Sequence, residues 1–293
     1  VDFGRLITAM ITPFDEQGKI NWPETASMIE YLIGEQKTDS LVICGTTGES
    51  PTLNEEEKLE LFAFALEKAK GRCKIIAGTG SNGTEHSIHL TREAEKLGVD
   101  GALLVVPYYN KPSQEGMYRH FEAIARSTSL PIMLYNVPSR TVASISAATT
   151  LRLAEIPNIV ATKECASIEQ VTQIASCAPA SFRVYSGDDA SALPALAVGA
   201  HGIVSVASHL IGASMKDMIE AYLNGNVAEA AKLHQKLFPV FKGLFECPAP
   251  VPNPSALKYA LNLLGHPVGG VRLPLVDPSE SEMAFIRDLV ASL

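Results

Sequence analysis

Asn158-Ile159-Val160-Ala161-Thr162-Lys163 is the stretch on which the reading of the fold turns. Pro157 precedes it, and apolar and β-branched residues fill it, so it reads as a buried strand of a parallel sheet. Alternate side chains of a strand share a face, which predicts that Ile159, Ala161 and Lys163 point the same way. A lysine at the inner carboxyl end of a strand is costly to bury charged. Burial would depress its pKa and expose a nucleophilic amine, able to form a Schiff base with a carbonyl substrate. The competing reading is a lysine that reaches solvent or pairs with Glu164.

Strand-like runs recur at 6–11, 40–44, 74–77, 101–106, 131–135, 182–186 and 202–206. Helical patterns separate them near 23–36, 54–70, 85–97, 114–127, 145–155, 167–177, 189–198 and 210–224. Eight strand–helix units predict an α/β fold, a closed (β/α)8 TIM barrel, over residues 1–224. A doubly wound open sheet competes, but it places a glycine-rich phosphate turn after its first strand, where this chain has Thr12-Pro13-Phe14. A further helix at 226–245, the proline-rich break 247–254, and helices near 255–264 and 279–292 make residues 225–293 a C-terminal helical appendage.

Composition narrows the function. In 293 residues the net charge is −8 and no basic run stands out, which argues against nucleic acid. No run of 18 apolar residues suggests a membrane span, and the first residues lack a signal-peptide pattern. Five scattered cysteines, at 44, 73, 165, 177 and 247, suit a reducing cytoplasm. The histidines lie mostly on helices. His86 and His89 share a face, but no third ligand accompanies them, so a metal mechanism is not expected.

In such a barrel, chemistry gathers where strands end. There the chain places Gly45-Thr46-Thr47-Gly48-Glu49-Ser50, Pro107-Tyr108-Tyr109-Asn110, Tyr135-Asn136-Val137-Pro138-Ser139-Arg140, Lys163, Ser186-Gly187-Asp188-Asp189 and Gly202-Ile203-Val204-Ser205. This is the inventory of Schiff-base chemistry: an amine, hydroxyls to carry off the carbinolamine oxygen as water, and donors for carboxylates. Tyr135, one strand away, can approach Lys163. Amides around Thr46 and Thr47 could hold a carboxylate, and Arg140 could clamp a second one in a fork. Each residue also has a plain structural reading, as turn, core or surface ion pair; their convergence on one rim is what favours function.

The stretches 45–50, 107–116, 135–141 and 186–193, with the strand-end Lys163, resemble the dihydrodipicolinate synthase branch of the N-acetylneuraminate lyase family of pyruvate-dependent aldolases, over essentially the whole chain. The resemblance implies a lyase that condenses pyruvate with L-aspartate 4-semialdehyde, giving 4-hydroxy-tetrahydrodipicolinate in the first committed step towards diaminopimelate and lysine. It implies that Lys163 forms the Schiff base and that Thr46, Tyr135 and Tyr109 relay protons, Tyr109 from a neighbouring subunit. It implies that Thr47 binds the pyruvate carboxylate and Arg140 that of the second substrate, while Gly187 and Val204 line the pocket through their backbones. No cofactor is implied beyond the covalent pyruvate, and the assembly implied is a homotetramer, a dimer of dimers, or a dimer.

One departure from the family stands out. Ser50, Asn82 and Tyr108 match the site at which lysine inhibits some members, but Glu55 and Lys58 stand where imidazoles are found, and His86 where a carboxylate is found. Pro51 stiffens the same turn. Without the carboxylate that would hold its ammonium group, lysine is expected to inhibit weakly or not at all. Two other readings stay open: a sister aldolase pairing pyruvate with a sugar-derived aldehyde, and a catalytically silent barrel with a binding role.

Overall fold

The computed structural model describes residues 1–293. Eight parallel strands close into a barrel in sequence order: β1 (Leu6–Ala9), β2 (Ser40–Ile43), β3 (Lys74–Gly78), β4 (Gly101–Val105), β5 (Ile132–Asn136), β6 (Ile159–Glu164), β7 (Arg183–Ser186) and β8 (Gly202–Ser205). β8 pairs back onto β1 through Ile203 and Leu6, which leaves no free edge. The (β/α)8 expectation is borne out.

Around the barrel run α1 (Trp22–Gly34), α2 (Glu55–Ala69), α3 (Thr84–Leu97), α4 (Gln114–Arg126), α5 (Pro138–Thr141), α6 (Ala147–Leu153), α7 (Ile168–Cys177), α8 (Ala192–Ala197) and α9 (Ser208–Leu223). Their starts are written in the sequence. Asn54 caps α2 in a reciprocal box with Glu57, and Ser113, Ser146 and Ser167 cap α4, α6 and α7. α5 is a single turn not foreseen from periodicity, being too short to show a period; Pro138 opens it.

The strands are apolar on both faces because both are covered. Ile7, Val42, Ile76, Leu103, Met133, Ala161, Tyr185 and Val204, one from each strand, fill the barrel interior. Leu41, Ile75, Leu104, Leu134 and Val184 face the helices. In one respect the alternation expected for β6 fails. Ile132 pairs with Ile159 but Met133 with Ala161, so the register slips and Val160 is the extra residue of a bulge. Ile159 therefore packs outward with the helices, while Ala161 joins the interior. The bulge leaves Lys163 facing inward, which strict alternation from Ile159 also predicted, by the wrong route.

After the barrel come α10 (Val227–Gly243), α11 (Ser255–Leu263) and α12 (Glu280–Ala291), with a two-residue hairpin, β9 (Glu246–Cys247) and β10 (Ala249–Pro250), between the first two. Phe241, Leu257 and Leu261 share one continuous core with Met215 and Ile219 of α9. The segment from Asn253 to Arg272 returns to the carboxyl rim of the barrel, onto the loop after β2.

Candidate active site

Lys163 is the sixth-strand residue whose side chain points inward at the carboxyl end, and it is 5% exposed. β5 and β6 pair Tyr135 directly with Lys163, and Nζ lies 4.3 Å from the centroid of the Tyr135 ring. The amine forms no ion pair. Glu164, its neighbour, points to the opposite face and is occupied there: Asn136 Nδ2 donates to Oε1 at 3.0 Å, Gln170 Nε2 to Oε2 at 2.9 Å and the Ala166 amide to Oε1 at 2.7 Å. Burial raises the Glu164 pKa, against the pull of those donors. The pairing of Lys163 with Glu164 is thus excluded by the strand geometry that places the amine inward.

Gly187, after β7, supports the other side of the lysine. A Cβ built there would meet Lys163 Cε at 2.7 Å and would press on Cys165 Sγ. Only hydrogen fits, so the lysine chain and the Cys165 thiol lie directly on the Gly187 backbone. Burial pushes that thiol up to about 12, which keeps it protonated and inert beside the amine.

Next to the lysine and its tyrosine a cavity of about 490 Å³ opens, lined by Thr46, Tyr135, Val137 and Arg140 together with Lys58, Asn82, His86 and Tyr108. Arg140, exposed on α5, makes no ion pair and no hydrogen bond through its guanidinium. Its fork is available to a ligand. Val204 is fully buried in the barrel wall of β8.

The Gly45–Ser50 loop carries the carboxylate-binding expectation. It begins and ends in left-handed backbone at non-glycine residues, Cys44 (φ 57) and Glu49 (φ 55), a strained arrangement that persists where its surroundings hold it. The amides of Thr46 and Thr47 donate to no carbonyl or side chain within the protein. The loop is held from outside. Thr12 Oγ1 donates to the Gly48 carbonyl at 2.7 Å and Asn253 Nδ2 to Thr47 Oγ1 at 2.9 Å. Glu49 is clasped by Lys258 Nζ at 2.8 Å and by the Arg272 amide at 2.9 Å.

Of the expected residues, Lys163, Tyr135, Thr46, Thr47, Gly187 and Val204 thus gather at one end of the barrel with Arg140 at the cavity wall. Of these, Thr46, Tyr135 and Arg140 line the cavity, while Lys163, Thr47, Gly187 and Val204 lie behind its wall; Tyr109 does not line it either. It stands 89% exposed, in left-handed backbone at φ 72. Several supporting residues escaped the sequence reading. Lys258 is more deeply buried than Lys163, and its signal was present: a lysine within the apolar helical run Ser255–Leu261. Asp189, buried after β7, accepts from Ser205 Oγ and from the Val206 and Ala207 amides, tying the ends of β7 and β8 together. Burial lifts its carboxyl to about 6. Nothing local marks Asp189 as different from Asp188.

The dihydrodipicolinate synthetase family model matches residues 2–292. A 4-hydroxy-tetrahydrodipicolinate synthase of Bacillus subtilis is 54% identical over the full length of both chains. Among solved structures, a dihydrodipicolinate synthase of Bacillus anthracis superposes with a TM-score of 0.97 at 50% identity, covering 100% of this chain and 99% of that one. The enzyme of Cyanidioschyzon merolae, solved with lysine bound, gives 0.96 at 44% identity over 99% and 98% of the two chains. Fold, motifs and relatives agree, and the chain belongs to the dihydrodipicolinate synthetase family.

Proposed function

We propose that this protein is a lyase that joins pyruvate to L-aspartate 4-semialdehyde through a Schiff base on Lys163, giving 4-hydroxy-tetrahydrodipicolinate and water on the route to diaminopimelate and lysine. The observation that carries the reading is the Lys163 amine: inward-facing, free of any carboxylate and stacked on Tyr135, beside a cavity that holds an unpaired Arg140. The amine adds to the ketone carbon of pyruvate, and the carbinolamine oxygen leaves as water to give the imine. Thr46 and Tyr135 supply and remove the protons, with Tyr109 of a neighbouring subunit completing the relay. Loss of a methyl proton gives an enamine, whose carbon attacks the aldehyde. The amino group of the second substrate then displaces Lys163, closes the ring and frees the enzyme. The covalent imine is the electron sink, so no dissociable cofactor takes part.

Thr47 and the loop amides receive the pyruvate carboxylate, Arg140 that of the second substrate. The exposed Tyr109 supports assembly into a dimer or a dimer of dimers, where a ring in left-handed backbone would reach a partner's site. No helix is long and apolar enough to cross a membrane, and five free cysteines support a cytoplasmic setting.

Borohydride reduction with pyruvate, read by mass spectrometry, tests the reading: a pyruvyl adduct is expected on Lys163, and its absence refutes every Schiff-base mechanism here. Arg140 separates this activity from that of a sister aldolase, whose polyol substrate needs no guanidinium. Arg140→Ala should raise the KM for aspartate semialdehyde by roughly ten- to a hundredfold, the worth of a charged hydrogen bond, and leave that for pyruvate nearly unchanged. Equal effects on both would contradict the assignment.

A further inference from the structure

The Thr47 hydroxyl is buried, 2% exposed, and has one proton and two lone pairs to satisfy. One lone pair is taken by Asn253 Nδ2, 2.9 Å away. The hydroxyl proton has no acceptor in the protein. Asn253 comes from the segment leading into α11, outside the barrel, and is itself buried. It therefore does more than fill space. By donating to Oγ1, it obliges the Thr47 O–H to turn elsewhere, beside loop amides that are also unpaired and next to Thr46, which lines the cavity.

We propose that Asn253 is a positioning residue for the condensation: it orients the Thr47 hydroxyl as a donor to the substrate carboxylate, so that the C-terminal segment completes the pyruvate-binding pocket of the barrel. The same segment clasps the far end of the loop, through Lys258 Nζ and the Arg272 amide on Glu49, and so fixes the loop against which Asn253 is measured. The inference rests on Thr47 being the pyruvate-carboxylate ligand. Asn253 touches no reacting atom; its effect passes through Thr47.

The test uses full-length protein and steady-state kinetics with both substrates. Asn253→Ala should raise the pyruvate KM five- to tenfold and leave the aspartate-semialdehyde KM within twofold. Asn253→Asp, nearly isosteric, turns the hydrogen bond round, since a carboxylate can only accept. It withdraws the Thr47 proton from the substrate and adds a negative charge, so its pyruvate KM should rise further than that of Asn253→Ala. Asn253→Ser, a short donor, should restore part of the loss. Thr47→Val with Asn253→Ala should be no worse than Thr47→Val alone, because Asn253 then has nothing to orient. An unchanged pyruvate KM, equal rises in both KM values, or additive effects of the two substitutions would overturn the proposal. Failure of the wild-type protein to form the borohydride adduct would instead refute the Schiff-base reading, so the two failures are distinguishable.

Discussion

Replacing Lys258 by Met tests how the loop after β2 is held. Lys258 and Glu49 form an ion pair with side chains 1% and 0% exposed, and the ammonium also donates to the Gly270 carbonyl at 2.7 Å and lies 4.1 Å from the Phe14 ring centroid. Burial depresses the Lys258 pKa from 10.5 to about 8, despite the attraction of Glu49. That shift corresponds to ~3 kcal/mol against the charged form of Lys258, the cost of taking the ammonium out of water. Removing one partner is nonetheless severe, because Glu49 is left as a buried carboxylate with the Arg272 amide as its remaining donor. Lys258→Met should lower the unfolding free energy by ~3–5 kcal/mol.

Equilibrium urea denaturation at fixed protein concentration measures this. Adding Glu49→Gln to Lys258→Met removes the stranded charge and should recover more than half of the loss. The pH dependence gives an independent check. A lysine whose folded pKa lies below its unfolded one is protonated in the unfolded chain and neutral in the folded protein between about 8 and 10.5. Unfolding then takes up a proton, so stability rises with pH across that window, by up to ~3 kcal/mol. Lys258→Met should lack that rise. A loss below about 1 kcal/mol, or a double variant no better than the single one, would refute the account.

Gly187→Ala should cost ~1–3 kcal/mol of stability, since the new methyl must push aside Cys165 Sγ and the Lys163 side chain, and should slow borohydride trapping of pyruvate by tenfold to about a hundredfold in the folded protein; trapping at the wild-type rate would remove Gly187 as its support. His209 is fully buried, donates from Nδ1 to the Val206 carbonyl and accepts the Ile11 amide at Nε2, and burial lowers its pKa to about 4. The unfolded imidazole therefore takes up its proton first as the pH falls, and ~3 kcal/mol of stability is lost between about pH 6.5 and 4. His209→Gln should lose correspondingly less over that interval in urea titrations, and an identical loss would clear His209 of the role. Lysine should not inhibit at submillimolar concentration: Glu55 is engaged with His89 Nε2 at 2.8 Å, while Lys58 and His86 line the cavity, and an initial-rate assay showing such inhibition would refute this.

Much of this protein is legible in one dimension. The alternation of apolar runs and capped helices is local, so it foretold eight strand–helix units, with ends a residue or two adrift in places, and with them which segments meet at the carboxyl rim. Lys163 was conspicuous because a charge at the inner end of a buried strand is costly and needs a reason. The sequence could not show the bulge at Val160, because a register slip is a property of two paired strands. Nor could it assign partners to Asn253, Lys258 and Arg272. Each acts on the loop after β2 from some two hundred residues away, and a hydrogen bond between distant segments leaves no periodic trace in either. The chain alone determined the barrel, the amine and the hydroxyls around it. The tertiary structure decided which face Glu164 occupies, what holds the strained Gly45–Ser50 loop, and that Asn253, from a segment outside the barrel, donates to the Thr47 hydroxyl, because those depend on closure of the barrel and on the return of the C-terminal helices to its rim.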